Sequence, residues 1–356
     1  ATAIWLLHPL HVSTVLYAIQ RMAQLSSLFV MAGLVIFCHY RLRWAKSGAS
    51  IGELLAALLW LMLVTLLATL SKENGALLPW LIAVVEISLF RGEWRGRANP
   101  QLARAGLAVF ILPLVLVGVV LFFFPEVLSG RYVGRDFSLS ERLLTQSRIL
   151  WRYLGWLVLP DIRAMGFFHD DIVASKGLLS PPGTLLSLFT WVVVISSAIA
   201  LRRRWPLVLF AVLFYLVAHS MESSVLPLEM VFEHRNYLPS VGICLLLAAG
   251  LFRLSQRFTR VRLRVLAASV LVLLFALLWI RAHAWKDELA LARHNVINHP
   301  VSARANFFYA NALFKRLENA SSLGLGEDQT RDLAVNARLY YLRMHTIDPQ
   351  AFAALV

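Results

Sequence analysis

Long apolar runs separated by short polar stretches constrain this chain more than any other feature. A transmembrane helix needs about 20 mostly apolar residues, and fewer where it is broken or packed within protein. Charged residues make up only 15% of the chain, against about a quarter in soluble proteins. We therefore expect an all-α, polytopic transmembrane helical bundle. The sequence predicts the end of one helix at 1–7 and spans at 22–40, 53–70, 76–90, 105–124, 184–201, 206–219, 240–252 and 265–282.

The basic residues, which give a formal net charge of +14, concentrate in alternate connections between the runs. Cytoplasmic loops of membrane proteins are enriched in Lys and Arg, so the basic connections are predicted to be cytoplasmic and the others to lie outside. The positive charge then reflects topology, and nucleic acid is not an expected partner. The basic set, with 15 basic residues and one acid, is 41–50, 91–104, 202–204 and 253–264; the other set, with 7 basic residues and 10 acids, is 71–75, 125–147, 161–183 and 221–239.

This alternation holds only if the apolar piece at 148–160 does not cross the membrane. It is short and contains Arg148 and Arg152, so we interpret it as an interfacial or re-entrant helix on the outer side. The chain after residue 282 then emerges on the outer face.

A few polar residues within the spans are interpreted as structural. Glu53 and Glu86 lie near the cytoplasmic ends of their spans, where helix-end roles are common. Cys38 and Cys244 are far apart in apolar runs, so they are expected to be small buried residues rather than a disulfide or a thiolate metal site.

Four polar motifs lie in or beside the outer connections: "HPLHVSTVLYAIQRM" (8–22), "SKENG" (71–75), "GFFHDDIVASKG" (166–177) and "MESSVLPLEMVFEHRNYLPS" (221–240). Polar groups at a membrane face are costly unless they are paired or hydrated, so such groups often mark function. The structural alternatives are a proline-terminated helix at His8, a solvated turn, a hydrated loop, and an ion pair between Glu233 and Arg235. A functional interpretation makes Arg235 a phosphate ligand, because guanidinium matches phosphate oxygens in a bidentate manner.

A change of composition after residue 282 divides the chain into a membrane domain, 1–282, and a helical tail, 283–356. Small and aromatic residues at helical spacing in "VSARANFFYANALFKRL" and "EDQTRDLAVNARLYYLRMHTIDPQ" are similar to tetratricopeptide units. A generic helical hairpin is the alternative. Such arrays need about three repeats and the sequence starts inside an apolar run, so further chain is expected at both ends.

The stretches "WLLHPLHVSTVLYAIQRMAQLSSLFV", "LATLSKENGALLPW" and "EHRNYLPSVGICLLL", followed by this tail, resemble a bacterial relative of the TMTC-type membrane O-mannosyltransferases. These belong to the GT-C glycosyltransferase class and carry C-terminal tetratricopeptide repeats. The resemblance implies transfer of a sugar from a polyprenyl-phosphate donor to a protein or glycan hydroxyl. It further implies a site at the outer face of the bacterial cytoplasmic membrane, a periplasmic tail and a protein partner bound through that tail.

The resemblance also implies roles for individual residues. Arg235, His234, Lys72 and Arg21 would bind the donor phosphate as negative charge develops on it, and the cavity would be lined by His8, His11, Glu73, Glu233 and Tyr237. The carboxylate that acts as general base is expected upstream of Ala1, in a loop before "HPLH". Asp170 and Asp171 could bind a divalent metal ion through oxygen, the one cofactor predicted here.

Two other functions fit the same sequence features. An oligosaccharide ligase or polymerase would differ only in taking a preassembled glycan. A non-catalytic membrane scaffold would use the tail to recruit envelope proteins, and would lack the upstream acids. A transporter is less favoured, because the two halves show no paired broken helices or inverted repeat.

Overall fold

The computed structural model describes residues 1–94, 97–98, 135–255 and 260–349, together with isolated positions between 108 and 132. The predicted span at 105–124 and residues 350–356 lie outside the continuously described segments.

The regular secondary structure of the described residues is helical except for two short strands, Glu93–Trp94 and Arg97–Ala98, which pair antiparallel. The prediction of a helical fold is confirmed. The helices are α1 Thr2–Leu6, α2 Val12–Leu16, α3 Arg21–Ser47, α4 Ile51–Ser71, α5 Leu78–Val85, α6 Leu139–Val158, α7 Gly183–Ala200, α8 Pro206–His219, α9 Ser240–Ser255, α10 Arg260–Ala284, α11 Glu288–Asn298, α12 Ala303–Glu318 and α13 Glu327–Ile347; short 3₁₀ turns cover Pro9–His11, Ala18–Gln20, Glu73–Leu77 and Glu233–Asn236, and a π-helical turn covers Glu86–Phe90.

Five helical segments among the described residues are long and apolar enough to cross a membrane, which indicates a multi-pass membrane protein. The helices at Pro206–His219 and Ser240–Leu254 are equally apolar but shorter. Every predicted span within the described residues coincides with one of these helices. The five segments are Ala18–Ser47, Ile51–Ser71, Glu73–Phe90, Gly183–Ala200 and Arg264–Ala284.

One end of the helix bundle gathers the described parts of the arginine-rich connections, and we call it the basic end. The Arg91 side chain donates to the carbonyl oxygen of Arg203 at 3.2 Å, and Arg253 lies over the ring of Trp205 at 4.0 Å. α4 begins at this end with a capping box, in which Ser50 and Glu53 each accept from the other's backbone N–H. Glu53 therefore has the helix-end role expected for it.

The opposite end carries the polar motifs, and we call it the motif end. α3 and α4 run antiparallel between the two ends, and α8 and α9 repeat the arrangement. The apolar core between them includes Val30, Val64 and Phe214, and Leu78 of α5 packs in the same core. Burial of this interface stabilises the pairing of the helices. It therefore fixes the position of the connections along the bundle axis at each end.

α6 lies along the motif end instead of crossing the bundle. Near its start, the fully buried Arg142 donates to the carbonyl oxygens of Glu222, Ser224 and Leu228. Near its end, the carbonyl oxygen of Leu157 accepts from His8. Both ends of α6 therefore contact segments of the same end, as the interfacial interpretation requires.

The predicted boundary of this helix was wrong, because α6 begins at Leu139 within the segment assigned to the connection 125–147. Its first turns carry Glu141 and Arg142, so an apolar-run criterion misses them. The signal was present as a capping box, in which the Ser138 side chain accepts from the N–H of Glu141 and the Glu141 carboxylate accepts from the N–H of Ser138.

The tail folds as three consecutive helices, α11, α12 and α13. Aromatic pairs such as Phe307 with Tyr341 and Tyr309 with Tyr340 join α12 to α13. Ser302 is the N-cap of α12, and its side chain accepts from the N–H of Ala305. The relation of these helices to tetratricopeptide units stays a prediction.

Gly75, in "SKENG", marks a close approach of two backbone segments. A Cβ atom there would lie 2.1 Å from the carbonyl carbon of Ala68 and 2.4 Å from its oxygen. We expect Gly75→Ala to lower the free energy of unfolding by about 2 kcal/mol or more, because backbone must shift to admit the methyl group. Gly52→Ala is the matched control, since nothing lies within 4 Å of its Cβ position; it should be neutral or slightly stabilising. Equal midpoints in detergent unfolding for the two variants would contradict this account.

Candidate functional site

The four polar motifs, distant in sequence, meet around the 3₁₀ turn Glu233–Asn236. The Lys72 ammonium lies 2.7 Å from the Glu222 carboxylate, His169 lies 3.9 Å from Glu233, and the rings of His11 and Tyr237 pack edge to face. We call this assembly the polar cluster. It lies at the end of the bundle where α4 and α8 end and α9 begins.

The "HPLH" segment forms one wall of the polar cluster through buried, uncharged imidazoles. His8 Nδ1 accepts from the N–H of Leu10, so its Nε2–H donates to the carbonyl oxygen of Leu157, each at 3.2 Å. Burial lowers the pKa of His8 to about 4 and brings the pKa of His11 well below its usual value. His8 thus links the "HPLH" segment to α6 by a hydrogen bond. His11 Nε2 lies 3.2 Å from Ser240 Oγ.

The "SKENG" turn contributes a largely buried charge pair. The side chains of Lys72 and Glu222 are 10% and 7% exposed. Burial raises the pKa of Glu222, but Lys72 and Arg235 outweigh it and hold that pKa below the usual value. Glu73, the next residue, is exposed. Lys72 therefore faces the polar cluster, whereas Glu73 does not line an enclosed cavity.

Arg235 and His234 occupy different environments. Arg235 is only 4% exposed, and its Nη1 donates to the carbonyl oxygens of Glu229 and Met230 at 2.7 and 3.2 Å. The expectation of a guanidinium freely available to phosphate therefore needs revision, because part of that group holds its own loop. His234 stacks on Phe232, and burial together with the charge of Lys72 lowers its pKa to about 3.

Glu233 and Tyr237 contact different partners. Glu233 is buried and forms an ion pair with Arg281 of α10. Burial raises the pKa of Glu233, but Arg281 and His169 together bring it below its usual value. Tyr237 is half-buried, with its ring 4.7 Å from that of Trp5. The Trp5 indole donates to the Tyr237 carbonyl oxygen and to Ser240 Oγ.

Arg21 takes no part in the polar cluster. It is exposed at the first residue of α3, and its side chain makes no hydrogen bond or ion pair with the described residues. A ligand that extends beyond the cluster could reach it only along the outside of α3.

A long apolar groove of about 840 Å³ begins beside the polar cluster at Trp5 and Tyr237. It follows α3 from Gln24 to Cys38 and His39, with Phe214 and Leu245 on the facing helices. At about 1.5 Å per residue, this stretch of α3 is about 20 Å long. The groove is therefore suited to an extended hydrocarbon chain whose head group lies at the motif end.

The two adjacent aspartates of "HDD" act on different partners. Asp170 accepts from the hydroxyl of Ser302 and the N–H of Arg304 and so caps α12. Asp171 lies 2.9 Å from Nδ1 of His299. The metal site predicted from the sequence required both carboxylates to bind one ion through oxygen. The structure gives them separate partners instead. His299 was missed, and its only signal was the His-Pro pair that it forms with Pro300.

Comparison of the chain with models of known protein families, with curated proteins and with solved structures gave no match. The assignment of function therefore depends on the geometry of the polar cluster and groove.

Proposed function

We propose that this protein is a GT-C-type membrane glycosyltransferase that transfers a sugar from a polyprenyl-phosphate donor to a protein or glycan hydroxyl. The observation that supports the proposal most directly is the junction of the polar cluster with the apolar groove. A polyprenyl-phosphate sugar has the same division into a long apolar chain and an anionic head group.

Within this proposal, the groove binds the polyprenyl chain along α3, and the phosphate lies at the Tyr237 end. We assign the leaving phosphate to Lys72, the cationic side chain of the "SKENG" turn, and to His234, a partly exposed imidazole of the 3₁₀ turn. Arg235 fixes the loop that leads into the turn carrying His234. In a bacterial cell, the motif end would face the periplasm, on the same side as the tail.

The test is release of polyprenyl phosphate from labelled polyprenyl-phosphate sugars by the full-length protein in lipid nanodiscs. We expect release with at least one donor, and a loss of about 100-fold in kcat for Lys72→Gln, because one preorganised donor at a developing charge contributes about 10²–10³ in rate. The double variant Lys72→Gln/Glu222→Gln also removes the Glu222 charge that Lys72→Gln leaves unpaired. Release only from donors with a preassembled glycan would instead indicate a ligase or polymerase.

Two matched controls make the result specific. Lys176→Gln removes an exposed lysine of the 166–177 loop and should leave the rate unchanged. Leu28→Trp narrows the groove and should raise KM for the lipid-linked donor, whereas Leu58→Trp, exposed on α4 away from the groove, should not. No release with any donor, or equal losses in the control and test variants, would overturn the proposal.

A further inference from the structure

His169, Asp171 and His299 form a compact group outside the lysine-containing part of the polar cluster. One ligand atom from each lies within 4.8 Å of the others. His169 and Asp171 belong to the loop between α6 and α7, and His299 lies between α11 and α12 of the tail. The group therefore joins the membrane domain to the tail.

Several polar atoms of this group are buried without a hydrogen-bond partner among the described residues. They include both ring nitrogens of His169, Nε2 of His299 and Oδ1 of Asp171. His169 and His299 are each only 5% exposed. Buried polar groups in proteins are nearly always paired, so several orphan atoms at one place indicate a missing ligand.

The surrounding contacts join the loop to the tail independently of any ligand. The side-chain Oδ1 of Asn295 accepts from the backbone N–H groups of Phe167 and Phe168, and both rings pack against Phe308. Gly166 leaves room for the His299 ring, because a Cβ there would lie 2.7 Å from Nε2. The loop and tail are thus joined on both sides of the group.

We propose that His169, Asp171 and His299 bind a divalent transition-metal ion, with Zn²⁺ the best chemical match, that fastens the tail to the membrane domain. Two imidazoles with one carboxylate are typical of zinc, whereas Mg²⁺ and Ca²⁺ prefer oxygen ligands alone. Ligands about 2.1 Å from one ion lie at most about 4.2 Å apart, so binding draws the three donors slightly together.

The same geometry supplies a fourth position. Glu233 Oε1 is also buried without a hydrogen-bond partner among the described residues, and it lies 3.9 Å from His169 Nε2. The site therefore extends to the turn that carries His234 and Arg235. Metal binding would fix the relative positions of this turn, the loop and the tail.

The test uses full-length protein in detergent, purified without a histidine tag and dialysed against a chelator. Titration with Zn²⁺ against a chromophoric chelator should give one tight site per chain, and Co²⁺ should give the visible absorption of a four-coordinate ion. His169→Ala and His299→Ala should each weaken binding by at least about 100-fold, whereas His345→Ala, an exposed tail histidine, should not. Zn²⁺ should raise the unfolding midpoint of the wild type and of His345→Ala, but not of His169→Ala or His299→Ala.

X-ray absorption of the Zn²⁺-loaded wild type keeps the proposal testable if the alanine variants fail to fold. Two imidazole nitrogens and a carboxylate oxygen around zinc would support it. Binding of no ion, binding without imidazole ligands, or undiminished binding in a folded His299→Gln variant would overturn it. None of these readouts depends on glycosyl transfer, so the metal site and the proposed enzyme can fail separately.

Discussion

Replacement of Arg281 by methionine is expected to lower the free energy of unfolding by about 3–5 kcal/mol, because it leaves Glu233 as an uncompensated buried charge. Arg281 is 3% exposed and Glu233 is 2% exposed, and their side chains form an ion pair between α10 and the Glu233–Asn236 turn. The loss should appear as a lower midpoint in detergent unfolding. Thiol reactivity of Cys244, which is buried in the folded protein, gives a second readout in a background without the half-buried Cys38.

The double variant Arg281→Met/Glu233→Gln separates the charge from the packing. Replacement of both partners of a buried ion pair by uncharged groups is often close to neutral, so the double variant should recover most of the stability lost in Arg281→Met. If Arg281→Met is as stable as the wild type, or if the double variant is no more stable than Arg281→Met, the ion pair does not account for the expected loss in the free energy of unfolding.

Arg41→Met is the second substitution with a large expected effect, again about 3–5 kcal/mol in the free energy of unfolding. The Arg41 guanidinium donates to both Glu86 oxygens at 2.7 and 2.8 Å, and also to the carbonyl oxygen of Glu93. It lies over the Phe90 ring at 4.8 Å. Without Arg41, the Glu86 carboxylate stays buried in the π-helical turn at the basic end with no cationic partner among the described residues. The midpoint of detergent unfolding measures the loss of stability.

Arg43→Met is a closely matched control on the same helix. Arg43 pairs with Glu53 at 2.8 Å, a distance like that of the Arg41 pair, but its side chain is 60% exposed. Exposed ion pairs contribute about 0–1 kcal/mol, so Arg43→Met should change stability by less than about 1 kcal/mol. Similar losses at the two positions would mean that burial does not decide the strength of these pairs.

The broad architecture was predictable because two physical signals recur along the sequence. Apolar length identified the spans, for example α4 and α7, and alternation of charge placed Arg91 and Arg203 at one end and Lys72 and Glu222 at the other. Apolar length and charge count are each summed over many residues of a segment, so one polar or charged residue in an unexpected place does not change the prediction. The non-crossing position of α6 followed from the same count.

The pairings inside the site were not predictable, because they join residues far apart in sequence. Nothing local to Lys72 indicates Glu222 as its partner, and nothing local to Glu233 favours Arg281 over Arg235. Arg235 instead binds its own loop, since that loop lacks regular secondary structure and its carbonyl oxygens need donors. His299 escaped notice because the tail was treated as a separate domain, whereas the structure packs it on the loop that contains Asp171.

The segment from Glu222 to Phe232 has no helix or strand of its own, and α6 supplies much of its hydrogen bonding. Arg142, Gln146 and Tyr153, on one face of α6, bind carbonyl oxygens along it. Such bonds recognise main chain rather than side chains. Apart from Glu222 and Glu229, whose carboxylates form ion pairs, the segment can therefore vary in amino-acid identity but not in number of residues. One insertion would shift every later carbonyl oxygen away from its donor on α6.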